Sequence, residues 1–319
     1  MSFAPVTVAV VSWNTRALLE RCLESLHADA HSGTADVWVI DNASSDGSAE
    51  LVRERFPWVS LIASSENLGF GAAVNAVAAR THSDWIAPAN ADTRVTPGAL
   101  ARLLAEGRAH PEAAVMAPRL ILPGGDTQHS VYPFPTVAFT LAYVLGAVAR
   151  SRRLARHWCI DEGFDPDLAR EVDWAVGAFL LVRRDAFAQV GGFDEAQWMY
   201  AEDLDLNWRL ARAGHRARYV PEARVHHAES SATTQAWGGE RYARWHASSY
   251  AWMARRRGWP LMRLIATINV VGYMARALAL TPASALGRPE ASSSRRRAID
   301  SARAHSVGLR QRERLAQVR

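Results

Sequence analysis

The sequence predicts an α/β protein whose first part is a doubly wound, Rossmann-like sheet. Short apolar runs alternate with segments of 3.6-residue periodicity along residues 1–120, which is the pattern of strands joined by helices. Polar residues follow the ends of several apolar runs. Right-handed crossovers would bring these ends to one edge of the sheet, where open α/β sheets bind ligands.

The elements of this first part can be placed in chain order. Strands are predicted at residues 6–13, 37–40, 59–63 and 85–89. Helices are predicted after residue 16, at 48–56, at 72–80 and from Pro97 to about His110. Pro97 is placed at the first helical position because proline is favoured there. Further along the chain, a strand is predicted at 174–183, a helix at 184–190 and another helix that begins at Glu202.

Length and composition suit one large domain with an appended tail. The chain has 319 residues and 49% apolar residues, enough for a substantial core. We expect a main domain at 1–255, made of halves 1–120 and 121–255, then an apolar and basic helical segment at 256–287. The tail at 288–319 is rich in Ser, Ala and Arg, which predicts disorder.

The basic residues exclude several kinds of chemistry. All of them are Arg, so a Schiff-base lysine and a P-loop lysine are both excluded. The net charge is +5, but residues 288–319 alone carry nine Arg against three acidic residues. The body is therefore nearly neutral, which argues against a nucleic-acid partner.

The chain has two cysteines, Cys22 and Cys159, and their spacing is not that of metal ligands. So few cysteines predict a protein of a reducing compartment that has no disulfide.

Two acidic stretches carry the strongest functional signal. Asp92, preceded by Asn90, follows the strand at 85–89, and a carboxylate there could bind Mg²⁺ or Mn²⁺ together with substrate phosphates. Glu202, Asp203 and Asp205 open a helix, where acidic residues also complement the helix dipole without any catalytic purpose. Three carboxylates in four positions exceed that need, so one of them is a candidate general base.

Other residues have both a structural and a ligand-binding interpretation. Asp41 at a strand end could bind a nucleoside, although Asp, Asn, Ser and Gly here also form turns. The backbone of the Gly-x-Gly loop at 66–71 could bind an anion at the start of the next helix. The first strand–helix turn lacks glycine, which argues against NAD or FAD as a ligand. Only one of two adjacent histidines in an extended segment, His226 or His227, can face a site. Trp174 and Trp198 could stack on sugar rings.

The order of these motifs resembles glycosyltransferase family 2, with the GT-A fold, and within it bacterial rhamnosyltransferase-type members. The matching segments are residues 10–14, 39–47, 66–75, 90–92, 177–184, 191–194, 200–206 and 225–227. The resemblance implies a mixed central sheet with a nucleotide-sugar half and an acceptor half. Asn90 and Ala91 replace the first part of a full Asp-x-Asp motif, so the first carboxylate is missing.

The resemblance implies a role for each matching position. Asp203 would be the catalytic base, and Asp92 and His226 would hold a divalent metal. The residues implied to bind the nucleotide sugar are Ser12, Asn14, Asp41, Asn67, Gly69, Asn75 and Asn90. Those implied to bind the acceptor are Trp174, Gly177, Trp198 and Glu202.

Inverting transfer of L-rhamnose from dTDP-L-rhamnose to a glycan or polyprenyl-linked acceptor is the implied reaction. UDP- and GDP-sugars stay open as donors. The apolar stretches at 137–149 and 259–280 lie beside Arg residues and suit an anionic membrane interface, which would place the protein at the cytoplasmic face of the membrane. We expect neither stretch to span the bilayer. The alternatives are a nucleotidyltransferase, or a non-enzymatic protein that binds nucleic acid through its Arg-rich tail.

Overall fold

The computed structural model describes residues 4–160, 163–228, 238–286 and 288–310. The chain divides into two compact units. The first, called the sheet unit, comprises Met1–Phe134 and Asp165–Ala236; the second, called the helical unit, comprises Pro135–Phe164 and Trp237–Arg319. The expected borders at residues 120 and 255 do not coincide with this division, since 135–164 belongs with the C-terminal helices.

Eleven strands are found within the described residues, all in the sheet unit. They are β1 Val6–Ser12, β2 Ala35–Asp41, β3 Ser60–Ala63, β4 Trp85–Asn90, β5 Thr93–Val95, β6 Ala113–Ile121, β7 Val131–Tyr132, β8 Arg170–Val172, β9 Trp174–Ala175, β10 Leu181–Arg183 and β11 Arg216–His227. The strand expected at 174–183 is thus two short strands, β9 and β10, with a connecting segment between them.

Helices alternate with the strands of the sheet unit and make up most of the helical unit. In the sheet unit they are α1 Arg16–His31, α2 Ser48–Arg55, α3 Phe70–Ala78, α4 Ala99–Ala109, α8 Arg184–Gln189 and α9 Glu202–Arg212. In the helical unit they are α5 Val137–Val144, α6 Ala147–Arg150, α7 Arg152–Trp158, α10 Arg241–Arg257, α11 Trp259–Ala279, α12 Thr281–Ala285 and α13 Pro289–His305. Short 3₁₀ segments occupy Gly238–Glu240 and Ser306–Leu309. α4 begins at Ala99, two residues after the expected Pro97.

Nine of the eleven strands form the expected mixed central sheet, and β7 and β9 pair as a separate two-stranded sheet. The order is β3-β2-β1-β4-β10-β6-β11-β5, with β8 also paired to β11. β1 pairs parallel with β2 and β4, and β2 pairs parallel with β3. β10 runs antiparallel between β4 and β6. The carboxyl ends of β1 to β4 therefore lie at one edge, as predicted.

The core of the sheet unit lies on both faces of β1. Val8, Ala9 and Val10 are completely buried although successive side chains point to opposite faces. On one face, Val8 and Val10 join the apolar sides of α1 and α4 in a single cluster. Continuous burial explains why β1 is apolar without alternation.

The helical unit contains the apolar and basic segments noted in the sequence. α11 runs unbroken through Arg263 and Arg276, so its 21 residues give it the length and composition to cross a membrane, a property it shares with core helices of soluble proteins. This differs from the expectation that the segment is too short to span. Disorder was also expected from residue 288 onward, but Pro289–His305 is a helix. Residues 311–319 lie outside the described part of the chain.

Candidate active site

The carboxyl edge of the sheet brings three of the predicted residues together. Ser12 is paired with Asp41 in the β1–β2 register, and Val11 with Asn90 in the β1–β4 register. Asp41 is only 3% exposed, and its Oδ2 accepts a hydrogen bond from the Ser44 N–H at 3.0 Å. Its Oδ1 is buried without a partner. A buried carboxylate oxygen that lacks a donor costs free energy, so this position suits a ligand that donates a hydrogen bond.

Asp92 faces His227 because β5 pairs antiparallel with the end of β11. His227 is opposite Thr93 in this register, and the Ala228 N–H donates to the Asp92 carbonyl at 3.0 Å. His227 Nε2 lies 3.4 Å from Asp92 Oδ1, with side chains 6% and 9% exposed. Neither atom has a hydrogen-bond partner. The fold thus buries two unpaired polar atoms against each other.

His227 takes the position that the sequence analysis gave to His226. Neighbouring side chains on a strand point to opposite faces, so the two histidines cannot both face Asp92. His226 is half-buried and is paired with Arg94 on β5 and Ile121 on β6. The histidine beside Asp92 is therefore His227 and not the expected His226.

Asp92 and His227 fit a divalent cation whose remaining positions are filled from outside the protein. Clusters of three or more His, Cys, Asp or Glu that could hold a metal ion are absent from the described residues. Mg²⁺-type sites commonly use one or two protein ligands together with substrate phosphates and water. Adjacent ligands of an octahedral ion lie about 3 Å apart, close to the 3.4 Å between His227 Nε2 and Asp92 Oδ1.

The segment Gly177–Ala178 connects Asp203 to the end of β4. The Ala178 carbonyl accepts a hydrogen bond from the Asn90 N–H at 2.8 Å. The neighbouring Gly177 N–H donates to Asp203 Oδ2 at 2.9 Å. A Cβ at Gly177 would come within 3.2 Å of the Asp203 side chain, so the close approach favours glycine. Asp203 therefore lies beside the sheet edge that ends in Asn90 and Asp92.

The three carboxylates at the start of α9 have different environments. Asp205 is fully buried and its Oδ2 accepts from Arg209 Nε at 2.7 Å, so it belongs to the interior. Burial raises the pKa of Asp203, while hydrogen bonds from the N–H groups of Gly177 and Leu204 oppose the rise. Burial raises the pKa of Glu202 to about 8, with a further contribution from the adjacent Asp203 charge. Glu202 Oε2 has no hydrogen-bond partner.

The turn before α9 is strained. Tyr200 and Ala201 both have positive φ angles, 60° and 64°, and residues other than glycine rarely adopt this backbone conformation. This turn leads directly into Glu202 and Asp203. Strain of this kind costs about 1–3 kcal/mol per residue and tends to occur at functional sites.

The glycine loop is packed against protein. Gly69 has φ 82°, and a Cβ there would lie 2.4 Å from the Trp198 carbonyl oxygen. Trp198 Nε1 donates to the Asn67 carbonyl at 3.3 Å, and Asn67 Oδ1 accepts from the Gly69 N–H at 3.0 Å. The close approach that requires Gly69 is thus explained by Trp198, and the side chain of Asn67 closes the turn.

Three more predicted ligand-binding residues make contacts within the fold. Asn14 Oδ1 accepts from the Ser45 N–H at 2.8 Å and joins two edge loops. The amide of Asn75 bonds both backbone groups of Phe193 at 2.9 Å, which ties α3 to that segment. Trp174 is buried, and its Nε1 donates to the Pro133 carbonyl at 3.1 Å. The interpretation of Trp174 as a sugar-stacking residue is therefore corrected, because its ring lies in the interior.

Comparison with known proteins identifies the family to which the chain belongs. The sequence model described as "Glycosyl transferase family 2" matches residues 7–190, more than half of the chain. The chain belongs to glycosyltransferase family 2. This family 2 glycosyltransferase is 34% identical over 265 residues to the N-acetylglucosaminyl-diphospho-decaprenol L-rhamnosyltransferase of Mycobacterium tuberculosis, covering 79% of this chain and 85% of that protein. It is also 42% identical over 91 residues to Rhamnosyltransferase WbbL of Escherichia coli, covering 27% and 32%.

Solved structures show the same GT-A fold. The mannosyltransferase PcManGT from Pyrobaculum calidifontis, in complex with GDP-Man and Mn²⁺, matches with a TM-score of 0.61 over 96% of this chain and 86% of that chain, at 19% identity. GalNAc-T7 with UDP, GalNAc and Mn²⁺ matches with a TM-score of 0.54 over 79% and 52%, at 14% identity. The predicted family, fold class and rhamnosyltransferase likeness are confirmed.

One site residue was missed by the sequence analysis. Gln128 Oε1 lies 2.8 Å from His227 Nδ1, on the side of the ring away from Asp92. Gln128 lies shortly after the sequence Pro-Gly-Gly, which predicts a loop. That pattern does not indicate what the side chain of Gln128 contacts.

Asp205 should contribute to the stability of the fold. Asp205→Asn would leave Arg209 without its buried partner, so we expect the free energy of unfolding in urea to fall by about 3–5 kcal/mol. Asp300→Asn breaks the exposed ion pair between Asp300 and Arg303. This control should change the free energy of unfolding by less than about 0.5 kcal/mol. Equal stability of the two variants would contradict the structural role of Asp205.

Glu202 should make stability depend on pH. Its pKa in the folded protein, about 8, is above the value of about 4.3 for an unfolded chain. The folded state therefore retains a proton that the unfolded state releases, and stability falls as pH rises between these values. Glu202→Gln should remove this loss, so melting temperatures of variant and wild type should diverge from pH 5 to pH 9. Glu54→Gln, at an exposed position on α2, is the control; a Glu202→Gln curve parallel to wild type would reject the assignment.

Proposed function

We propose that this glycosyltransferase moves a sugar, with L-rhamnose from dTDP-L-rhamnose as the first candidate, to a polyprenyl-linked acceptor of cell-envelope polysaccharide synthesis. Inversion at the anomeric carbon and dependence on a divalent cation are part of the proposal. The M. tuberculosis relative, named for a decaprenyl-linked acceptor and for rhamnose, supports the substrate class. Membership of a glycosyltransferase family favours sugar transfer over nucleotidyl transfer.

One observation carries the mechanism: a single backbone segment bonds both the end of β4 and the carboxylate of Asp203. The hydrogen bonds of Gly177 and Ala178 hold a proton acceptor next to the edge that carries Asp92. Transfer needs one group to take the acceptor's hydroxyl proton and another to balance charge on the leaving diphosphate.

Asp203 is the proposed base. Gly177 N–H fixes its Oδ2 and Leu204 N–H fixes its Oδ1 at 2.7 Å, so the orientation of the carboxylate is set before substrate binds. Each oxygen retains a second lone pair that can accept a proton. The raised pKa brings the carboxylate closer to working pH and makes it a better proton acceptor. As Asp203 takes the proton, the hydroxyl oxygen attacks the anomeric carbon from the side opposite the diphosphate. The bond from that carbon to the diphosphate oxygen breaks, which inverts the configuration and releases the nucleotide diphosphate.

Asp92 and His227 are the proposed cation ligands. When bound, the cation would act as a Lewis acid toward the leaving diphosphate. Mg²⁺ and Mn²⁺ are both candidates, because carboxylate and phosphate oxygens suit either ion. Asp41, with its unpaired Oδ1, is the proposed partner of a donor group on the nucleoside.

A membrane contact is proposed for the helical unit. α5 packs on α11 so closely that a Cβ at Gly272 would lie 2.6 Å from Val144. α11 exposes a row of apolar side chains at Leu264, Val271, Met274 and Leu278. Arg263 and Arg276 on the same helix are exposed as well. Apolar and basic side chains together suit an anionic lipid surface, where a polyprenyl-linked acceptor would be found and the cytoplasmic face would be the site of action.

Replacing the base tests the proposed function. Purified protein with Mn²⁺, dTDP-L-rhamnose and a polyprenyl-diphosphate-linked N-acetylglucosamine should yield rhamnosylated lipid, detected by mass spectrometry, and NMR should show an inverted anomeric centre. Asp203→Asn should lower the rate about 10²–10⁴-fold with an unchanged melting temperature. Asp84→Asn, exposed at the opposite end of β4, should keep full activity. Near-normal turnover by Asp203→Asn would remove it as base, and transfer only from another nucleotide sugar would overturn the choice of donor.

Charge placed on the exposed row of α11 should weaken membrane binding. Leu278→Glu, at a position 68% exposed, should reduce flotation with vesicles containing anionic lipid, because a carboxylate there meets both an apolar phase and negative charge. Leu168→Glu, at a position 52% exposed in the sheet unit, is the matched control and should float like wild type. Equal flotation of both variants would reject α11 as the contact.

A further inference from the structure

Gln128 contacts the ring nitrogen of His227 that lies away from Asp92. A side-chain amide oxygen can only accept a hydrogen bond, and Gln128 Oε1 lies 2.8 Å from His227 Nδ1. Nδ1 must therefore carry the hydrogen in this contact. In the neutral ring Nε2 is then left with a lone pair, and this lone pair lies on the side of Asp92.

The contact between His227 and Asp92 fits this assignment. Nε2 and Asp92 Oδ1 are 3.4 Å apart and do not form a hydrogen bond. If Nε2 carried the proton, the adjacent carboxylate would be an obvious acceptor. Two buried acceptors that face each other are unfavourable alone, but they are the arrangement expected of two ligands that converge on a cation.

The backbone of Gln128 is fixed independently of its side chain. Its N–H donates to the Leu120 carbonyl at 2.9 Å, and Thr127 forms a β-bridge with Ile121. These bonds fold the segment after β6 back on the end of that strand. β6 pairs with β11 at Leu120 and Val225, two residues before His227. The same strand pair therefore places the amide and the ring side by side.

We propose that Gln128 is a positioning residue, which holds His227 as the Nδ1–H tautomer so that its Nε2 lone pair is directed toward the cation position beside Asp92. The inference rests on the proposed cation site. Metal-bound histidines commonly donate their second N–H to an oxygen acceptor, and loss of that acceptor typically lowers metal affinity 10–100-fold.

The first test measures the tautomer without metal. Ring ¹⁵N shifts of His227, assigned by comparison with His227→Asn, should show a protonated Nδ1 and a bare Nε2 in the wild type. Gln128→Leu should lose this preference, and Gln128→Glu should keep it, because a carboxylate accepts the same hydrogen. Gln189→Leu is the matched control, since Gln189 Oε1 lies 2.8 Å from His215 Nε2 at an exposed position; it should leave the His227 signals unchanged.

The second test measures affinity for Mn²⁺ alone, from the EPR signal of the free ion. Gln128→Leu should weaken binding about 10–100-fold, while Gln128→Glu and Gln189→Leu should stay close to wild type. A protonated Nε2 in the wild type, or a Gln128→Leu variant with unchanged tautomer and affinity, would overturn the inference. A wild type with the expected tautomer that binds no Mn²⁺ would support the role of Gln128 in the tautomer and overturn its role toward a cation, together with the cation of the proposed function.

Discussion

The antiparallel pairing of β5 with the last residues of β11 is the interaction on which the proposed site depends. It brings His227 against Asp92 although 135 positions separate them in the sequence. Because side chains alternate along a strand, a slip of one residue would replace His227 with His226 and turn the paired ring away. Parallel pairing of β11 with β6 supports the same register and adds Gln128 on the far side of the ring.

The sequence could predict features that follow from local pattern. The ends of the strands predicted at 6–13, 37–40 and 85–89 could be placed at one edge, because apolar runs locate the strands and right-handed crossovers align their ends. His227 and Gln128 could not be predicted, because their roles arise from strand register and from a hairpin that returns to β6. Trp174 illustrates the opposite error, since an aromatic residue near acidic positions looks like a sugar platform until its burial is known.

The start of α9 combines a structural carboxylate, Asp205, with the proposed base, Asp203. Asp203 and Asp205 have the same side chain, but Asp205 is enclosed with Arg209 while Asp203 is held by backbone N–H groups. An ion pair with a buried arginine fixes charge inside the fold, whereas backbone donors orient a carboxylate and leave lone pairs available. Asp203 and Asp205 differ only in their surroundings in the fold. The sequence could therefore indicate an acidic cluster, but it could not assign a separate role to each carboxylate.

Several buried polar atoms without hydrogen-bond partners lie near the edge that carries Asp92, and others lie elsewhere in the described residues. Asp41 Oδ1, Asp92 Oδ1, His227 Nε2 and Glu202 Oε2 are buried without partners, and the turn before Glu202 holds two residues at positive φ. Each of these features costs free energy in the absence of ligand. Asp205 differs from these groups, because its Oδ2 accepts a hydrogen bond from Arg209 Nε at 2.7 Å. The proposed ligands, a nucleotide diphosphate with its cation and a hydroxyl acceptor, would supply hydrogen-bond donors and positive charge to these atoms.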